Sequence, residues 1–172
     1  MRATLRFRAF SVVRHAAMLL AAALLCAATG AQAYDDRIAL VIGNDKYANE
    51  PLKNAANDAR AVQKALLDLG FKVVFRSDAG YASMSGAAVE FSKLLNEANG
   101  ATAAIFYYAG HAIQYRDKNY LLPVDASLTS EAEIAFNSLQ VSQILELMEE
   151  SKVRHKFIIL DACRNNPFRN VF

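Results

Sequence analysis

The chain alternates short apolar runs with amphipathic stretches, and this alternation predicts its elements in order. Residues 37–43, Arg37 followed by an unbroken apolar run ending in glycine, have the pattern of a buried strand. Residues 54–69 carry Ala55, Ala59, Val62, Ala65, Leu66 and Leu69 at helical spacing, with Gly70 as the stop. Residues 71–75 predict a second strand. A second helix is expected over 83–99, with Val89, Leu94 and Leu95 on its inner side and Gly100 after it. Residues 101–108 read as a third strand, and 115–123, with Tyr120, Leu121 and Leu122, as a small hairpin beside the sheet. A third helix over 137–150 and a fourth strand over 156–160 complete the pattern.

Strands that are apolar throughout, separated by helices and short connections, argue for a parallel sheet covered on both faces. The predicted fold is α/β, a three-layer α-β-α sandwich with a mostly parallel sheet. Sheets of this kind bind ligands beyond the carboxyl ends of their strands. The residues to weigh are therefore Gly43-Asn44-Asp45, Gly110-His111 and Asp161-Ala162-Cys163.

The first 33 residues follow different rules. They hold four arginines (Arg2, Arg6, Arg8 and Arg14) and no acid, then an uncharged run over 16–29, then Ala31-Gln32-Ala33. A basic start, a short apolar stretch and a small-residue exit describe a secretory signal peptide over 1–33, with one domain over 34–172. The apolar run falls short of the ~20 residues of a permanent span, so no permanent membrane anchor is expected. Leu25 before Cys26 argues against lipoprotein processing. Cleavage after Ala33 sends the chain to the periplasm or outside the cell. It leaves 139 of the 172 residues and removes four of the 19 basic side chains but none of the 17 acids. The formal charge then moves from +2 to −2, and no basic stripe remains to attract nucleic acid. Of two cysteines only Cys163 survives, which excludes a disulfide scaffold and leaves a candidate reactive thiol.

Cys163 ends the fourth predicted strand and His111 the third, 52 residues earlier. Neighbouring parallel strands bring both to one rim of the sheet, where an imidazole takes the thiol proton or stabilises the thiolate. Asp161, two residues before Cys163, disfavours a thiolate and is better placed to receive a cationic substrate group. Four stretches carry a resemblance: Arg37-Ile-Ala-Leu-Val-Ile-Gly-Asn44, Leu52-Lys-Asn-Ala-Ala-Asn-Asp-Ala59, Phe106-Tyr-Tyr-Ala-Gly-His111 and Ile159-Leu-Asp-Ala-Cys-Arg-Asn165. Together they resemble the caspase-like cysteine peptidases, and most closely the bacterial metacaspase or orthocaspase branch.

The resemblance implies the large-subunit half of the caspase fold, with His111 and Cys163 as the catalytic dyad. It places the oxyanion hole at the N–H groups of Ala112 and Cys163, although the family usually has glycine where this chain has Ala112. It implies a basic-specificity pocket containing Asp58 beside Asp161, hence cleavage of peptide or protein substrates after Arg or Lys in a desolvated cleft. Some metacaspases bind calcium after the catalytic histidine; here only Asp117 and Asp125 are available where a hard cation wants six to eight oxygens, so no metal and no cofactor is expected. The family continues past the nucleophile into a small-subunit segment, whereas this sequence ends at Phe172. The expected architecture therefore lacks that half, and the implied partners are a small-subunit segment or a second copy of the chain. A catalytically inactive caspase-like module that binds partners without cutting is the second reading. Cys163-Arg-Asn-Asn-Pro-Phe-Arg169 also has the Cys-x5-Arg spacing of cysteine phosphatases. That reading ranks third, because Pro167 removes a loop amide and His111 is left without a role.

Overall fold

The computed structural model describes residues 36–98 and 103–162. The predicted signal peptide and Cys163 lie outside them. Strand β1 (Arg37–Gly43) leads to helix α1 (Ala55–Asp68), β2 (Phe71–Ser77) and helix α2 (Tyr81–Glu97). Strand β3 (Ala103–Ala109) is followed by a hairpin of β4 (Ala112–Tyr115) and β5 (Lys118–Leu121). A 3-10 turn (Glu131–Glu133), helix α3 (Ile134–Asn137), strand β6 (Leu139–Gln140), helix α4 (Val141–Glu150) and strand β7 (His155–Asp161) complete the order. The main sheet runs β2-β1-β3-β7 with every pairing parallel, and β4-β5-β6 form a second, antiparallel sheet. The expected α/β sandwich with a mostly parallel sheet is what forms.

Alternation along the central strands explains the two helical layers. Ile38, Leu40 and Ile42 of β1, with Ala104, Phe106 and Tyr108 of β3, pack on one face against Met84, Phe91 and Leu95 of α2 and Ile144 and Met148 of α4. Ala39 and Val41, with Tyr107 and Ala109, pack on the other against Ala55, Ala59 and Leu66 of α1. Each large aliphatic side chain buried this way contributes about 1.5–3 kcal/mol. A third cluster, with Tyr47, Ile113, Tyr120, Leu122, Leu128 and Ile134, anchors the hairpin to the loops above the strand ends. Among the described residues no helix is long and apolar enough to cross a membrane.

Several predicted boundaries move, each for a physical reason. α1 stops where expected, with Gly70 in the left-handed region at φ 80°. α2 starts two residues earlier than its periodicity suggests, because the Tyr81 N–H donates to Asp125 Oδ1 (2.9 Å), a cap supplied from a distant loop. Its buried stripe is Met84, Ala87, Ala88, Phe91 and Leu95, and Val89 is 56% exposed rather than inward. Small alanines, not the larger valine, make the close approach to the sheet. The hairpin starts at Ala112 instead of 115, turning through Arg116 (φ 49°) and Asp117 (φ 61°), the left-handed pair of a tight two-residue loop. The predicted helix over 137–150 begins only at Val141, as α4, since residues 139–140 form β6, where Leu139 pairs with Leu121 and is buried; α3 (Ile134–Asn137) is a separate short helix that the pattern did not predict.

Candidate active site

The strand exits lie level. Gly43 pairs with Ala109, and Ala109 with Asp161, at the last rungs of the β1–β3 and β3–β7 ladders. His111 stands two residues past Ala109, and Cys163 two residues past Asp161. The position and contacts of Cys163, including its amide expected in the oxyanion hole, lie outside the described residues.

His111 is half-buried and held from several sides. Its backbone N–H donates to the Tyr47 hydroxyl (2.9 Å), and its carbonyl accepts from the Tyr108 hydroxyl (2.7 Å) and from Leu122 N–H (2.9 Å). The imidazole lies 4.5 Å from the Tyr47 ring, tilted by 52°. Nε2 is 2.7 Å from the Glu50 carbonyl oxygen, and Glu50 itself sits at φ 55°. A carbonyl only accepts, so Nε2 carries a proton, and in the neutral imidazole Nδ1 keeps the lone pair. In that tautomer Nδ1 is the nitrogen able to take up a proton.

Ala112 begins β4. The Leu122 N–H to His111 carbonyl bond makes 111/122 a hydrogen-bonded pair, so the next pair, Ala112↔Leu121, is the non-bonded kind. The Ala112 N–H therefore points away from β5, outward from the edge of the hairpin. Below the strand exits, Asn44 is fully buried. Its Nδ2 donates to the carbonyls of Ala79 (3.3 Å) and Leu122 (3.2 Å), while its Oδ1 accepts from Ala79 N–H (2.9 Å). One side chain thus ties the β1 exit to the start of α2 and to the hairpin.

An open cleft of about 290 Å³ lies between this rim and the first turn of α1. It is lined by Leu52, Lys53, Asn54, Ala55, Asp58, Ala109, Gly110, His111 and Asp161. The two predicted carboxylates and the predicted base therefore share one concavity. Asp161 Oδ2 accepts from the Tyr107 hydroxyl (3.3 Å), and its carbonyl accepts from Gly110 N–H (3.3 Å). Burial, then the Asp161 and Asp58 carboxylates, push the Tyr107 phenol up to about 12, so it stays a neutral donor. Asp161 is exposed, which corrects the expectation of a desolvated setting. Helix α1 packs on β1, β2 and β3, and Phe157 (52%) and Ile159 (48%) on the α1 side of β7 are exposed with Asp161. Among the described residues β7 is the sheet edge.

Among the described residues no three His, Cys, Asp or Glu side chains gather closely enough to hold a metal ion. Asp117 lies in the hairpin turn and Asp125 caps α2. The sequence pattern did not single out Tyr47, Tyr107, Tyr108 or the Glu50 carbonyl. The signals available were the place of Tyr107 and Tyr108 inside the 106–111 motif and of all three hydroxyls close to predicted strand ends, where they resemble ordinary core aromatics until the chain is folded.

A family model for the caspase domain matches residues 36–171. The chain belongs to the caspase-domain family. Among curated proteins, mucosa-associated lymphoid tissue lymphoma translocation protein 1 of Homo sapiens is 35% identical over 130 residues, 75% of this chain and 15% of that protein. The homolog from Mus musculus is 35% identical over 137 residues, 79% of this chain and 16% of its own length. The caspase-domain chain thus spans about a sixth of the length of these relatives. Membership agrees with the strand order and with the four motifs, and it assigns the chain to a family of cysteine peptidases.

Proposed function

We propose that this caspase-domain protein is an exported cysteine endopeptidase of the bacterial metacaspase type that cleaves after Arg or Lys, with His111 and Cys163 as its dyad. The observation that carries the proposal is the level pairing of Ala109 with Asp161, each two residues before a member of the dyad. In the reaction the Cys163 thiol gives its proton to Nδ1 of His111 as its sulfur attacks the scissile carbonyl carbon. The N–H groups of Ala112 and Cys163 face the developing oxyanion. Collapse of the tetrahedral species breaks the C–N bond, and the proton passes from His111 to the leaving amine. Water then attacks the thioester with His111 as base, releasing the acid product and restoring the thiol.

Asp58 and Asp161 in one cleft with His111 support the basic preference, Arg gaining most through a bidentate contact. Because Asp161 is exposed, its share is smaller than for a buried carboxylate, about 1–2 kcal/mol or roughly 5- to 30-fold in kcat/KM. The charge asymmetry of residues 1–33 supports export, and the exposed Phe157 and Ile159 support a further segment or a second copy against β7. That same exposed face also favours the second reading, a module that binds partners without cutting.

A fluorogenic peptide panel, with a thiol-reactive Arg-ended probe, separates the two. Arg and Lys peptides are expected to turn over and Asp peptides not. Cys163→Ala and His111→Ala should each remove most of the rate, because the two act as a unit. Asp161→Asn should lower the Arg rate by the factor above. Probe capture and turnover both absent would leave the binding module as the reading, and turnover indifferent to Cys163→Ala would overturn Cys163 as the nucleophile.

A further inference from the structure

We propose that Tyr47 and Tyr108 are positioning residues for His111, their hydroxyls closing a hydrogen-bonded ring on the peptide groups of the histidine itself. The proposal rests on the reading of His111 as the base. The ring runs from the His111 N–H to the Tyr47 oxygen (2.9 Å), on to the Tyr108 oxygen (3.1 Å), and from the Tyr108 hydroxyl back to the His111 carbonyl (2.7 Å). Its direction is fixed at both ends, since an N–H only donates and a carbonyl only accepts. The Tyr108 hydroxyl has one proton and two carbonyls within reach, His111 (2.7 Å) and Leu122 (2.9 Å), and the shorter contact takes it; Tyr47 directs its own to Tyr108 (3.1 Å), closing the ring, with the Leu122 carbonyl (3.2 Å) as the competing acceptor. Hydrogen bonds aligned head to tail in a dry interior strengthen one another. Both phenols are buried, and burial raises both above their ordinary values, so the protons stay in place at neutral and mildly alkaline pH.

The two tyrosines come from separate segments, Tyr47 from the loop after β1 and Tyr108 from the far face of β3. His111 stands where the chain leaves the sheet for the hairpin, and its peptide orientation sets the direction of its Cα–Cβ bond. Tyr47 acts twice, since its ring also packs on the imidazole whose Nε2 is bonded to Glu50. Three constraints then fix the imidazole: the ring on the backbone, the aromatic face on the side chain, and the carbonyl on Nε2. A misplacement of ~1 Å at a reacting group costs up to about 10²-fold in rate.

The test uses the full chain with Tyr47→Phe and Tyr108→Phe, substitutions that keep the aromatic rings and break the hydrogen-bonded one. Tyr47→Phe is expected to lower kcat about 10-fold with KM changed less than about 2-fold. Imidazole ¹⁵N shifts supply a readout independent of activity. In the wild type His111 should show a fixed Nε2–H tautomer, and in Tyr47→Phe a mixture, with the exposed His155 as the unchanging reference. Tyr108→Phe should act in the same direction, and the double variant should lose little beyond the worse single one, since a ring breaks only once. Should one substitution prevent folding, the other decides by the same shifts. His111 shifts and kcat both unchanged in a folded variant would overturn the proposal. If the wild type turned over no peptide, the function proposed above would fail, while the shifts would still decide the ring.

Discussion

Gly110 shows how tightly the site is built at the scale of single residues. A Cβ placed there would lie 2.6 Å from the hydroxyl of Tyr108 and 2.6 Å from that of Tyr47. Neither hydroxyl can retreat without releasing a peptide group of His111. Gly110→Ala is therefore expected to cost about 1–3 kcal/mol of stability through overpacking, measured by urea unfolding, and to disturb His111 as Tyr47→Phe does. A stability within ~0.5 kcal/mol of the wild type would contradict that packing. The glycine before the histidine was legible in the sequence as part of a motif. The reason for it was not, because Tyr47 lies 63 residues from Gly110 along the chain.

Among the elements, the exits of β1 and β2 are joined by Asp78, which occupies the left-handed region at φ 51°. Its Oδ1 accepts the N–H groups of Asp45 (2.9 Å) and Lys46 (3.1 Å), and its Oδ2 pairs with Lys46 Nζ (3.0 Å). Burial acts to raise this carboxyl, but the two backbone N–H bonds and the Lys46 ammonium outweigh it and hold the carboxyl below its ordinary value. A carboxyl lowered in the folded state contributes stability above its unfolded pKa of about 4, and that contribution is lost as pH falls through the folded value. Asp78→Asn tolerates the same backbone angles and removes the charge. It should lower stability at pH 7 by about 1–2 kcal/mol, and the gap should narrow at pH 3. Urea unfolding at the two pH values measures it, and an equal gap at both would refute the charge argument. The strands of the main sheet were legible to within about two residues, because a continuous apolar run bounded by glycine admits few alternatives. The start of α2 and the late start of α4 were not. Both depend on partners from elsewhere, Asp125 for the first and Leu121 for the second.

For the whole molecule, the proposed export changes which protein the rest of the sequence makes. Removal of residues 1–33 takes away four arginines and turns the formal charge from +2 to −2. Secreted material is expected to begin at Tyr34, and intact-mass measurement decides it. A product that retained Met1 would remove the basis for a periplasmic or extracellular location. The exposed apolar face of β7 belongs to the same scale, since helix α1 covers the other three strands of the sheet and leaves Phe157 and Ile159 exposed.

The sequence by itself determined the four main-sheet strands, their parallel sense, the helical layers and the family, since each rests on local spacing or on contiguous motifs. It also brought His111, Asp58 and Asp161 forward as candidates, because chemistry-bearing residues at strand ends and in a helix's first turn stand out in an apolar pattern. Only the tertiary structure decided that one cleft joins them, that Asp161 is exposed on what is, among the described residues, an edge strand, and that Nε2 of His111 faces the Glu50 carbonyl. It alone assembled the ring of Tyr47, Tyr108 and His111. The physical reason is range. Periodicity reports which face of an element is buried, whereas hydrogen bonds among residues up to 64 apart in sequence exist only once the strands are paired.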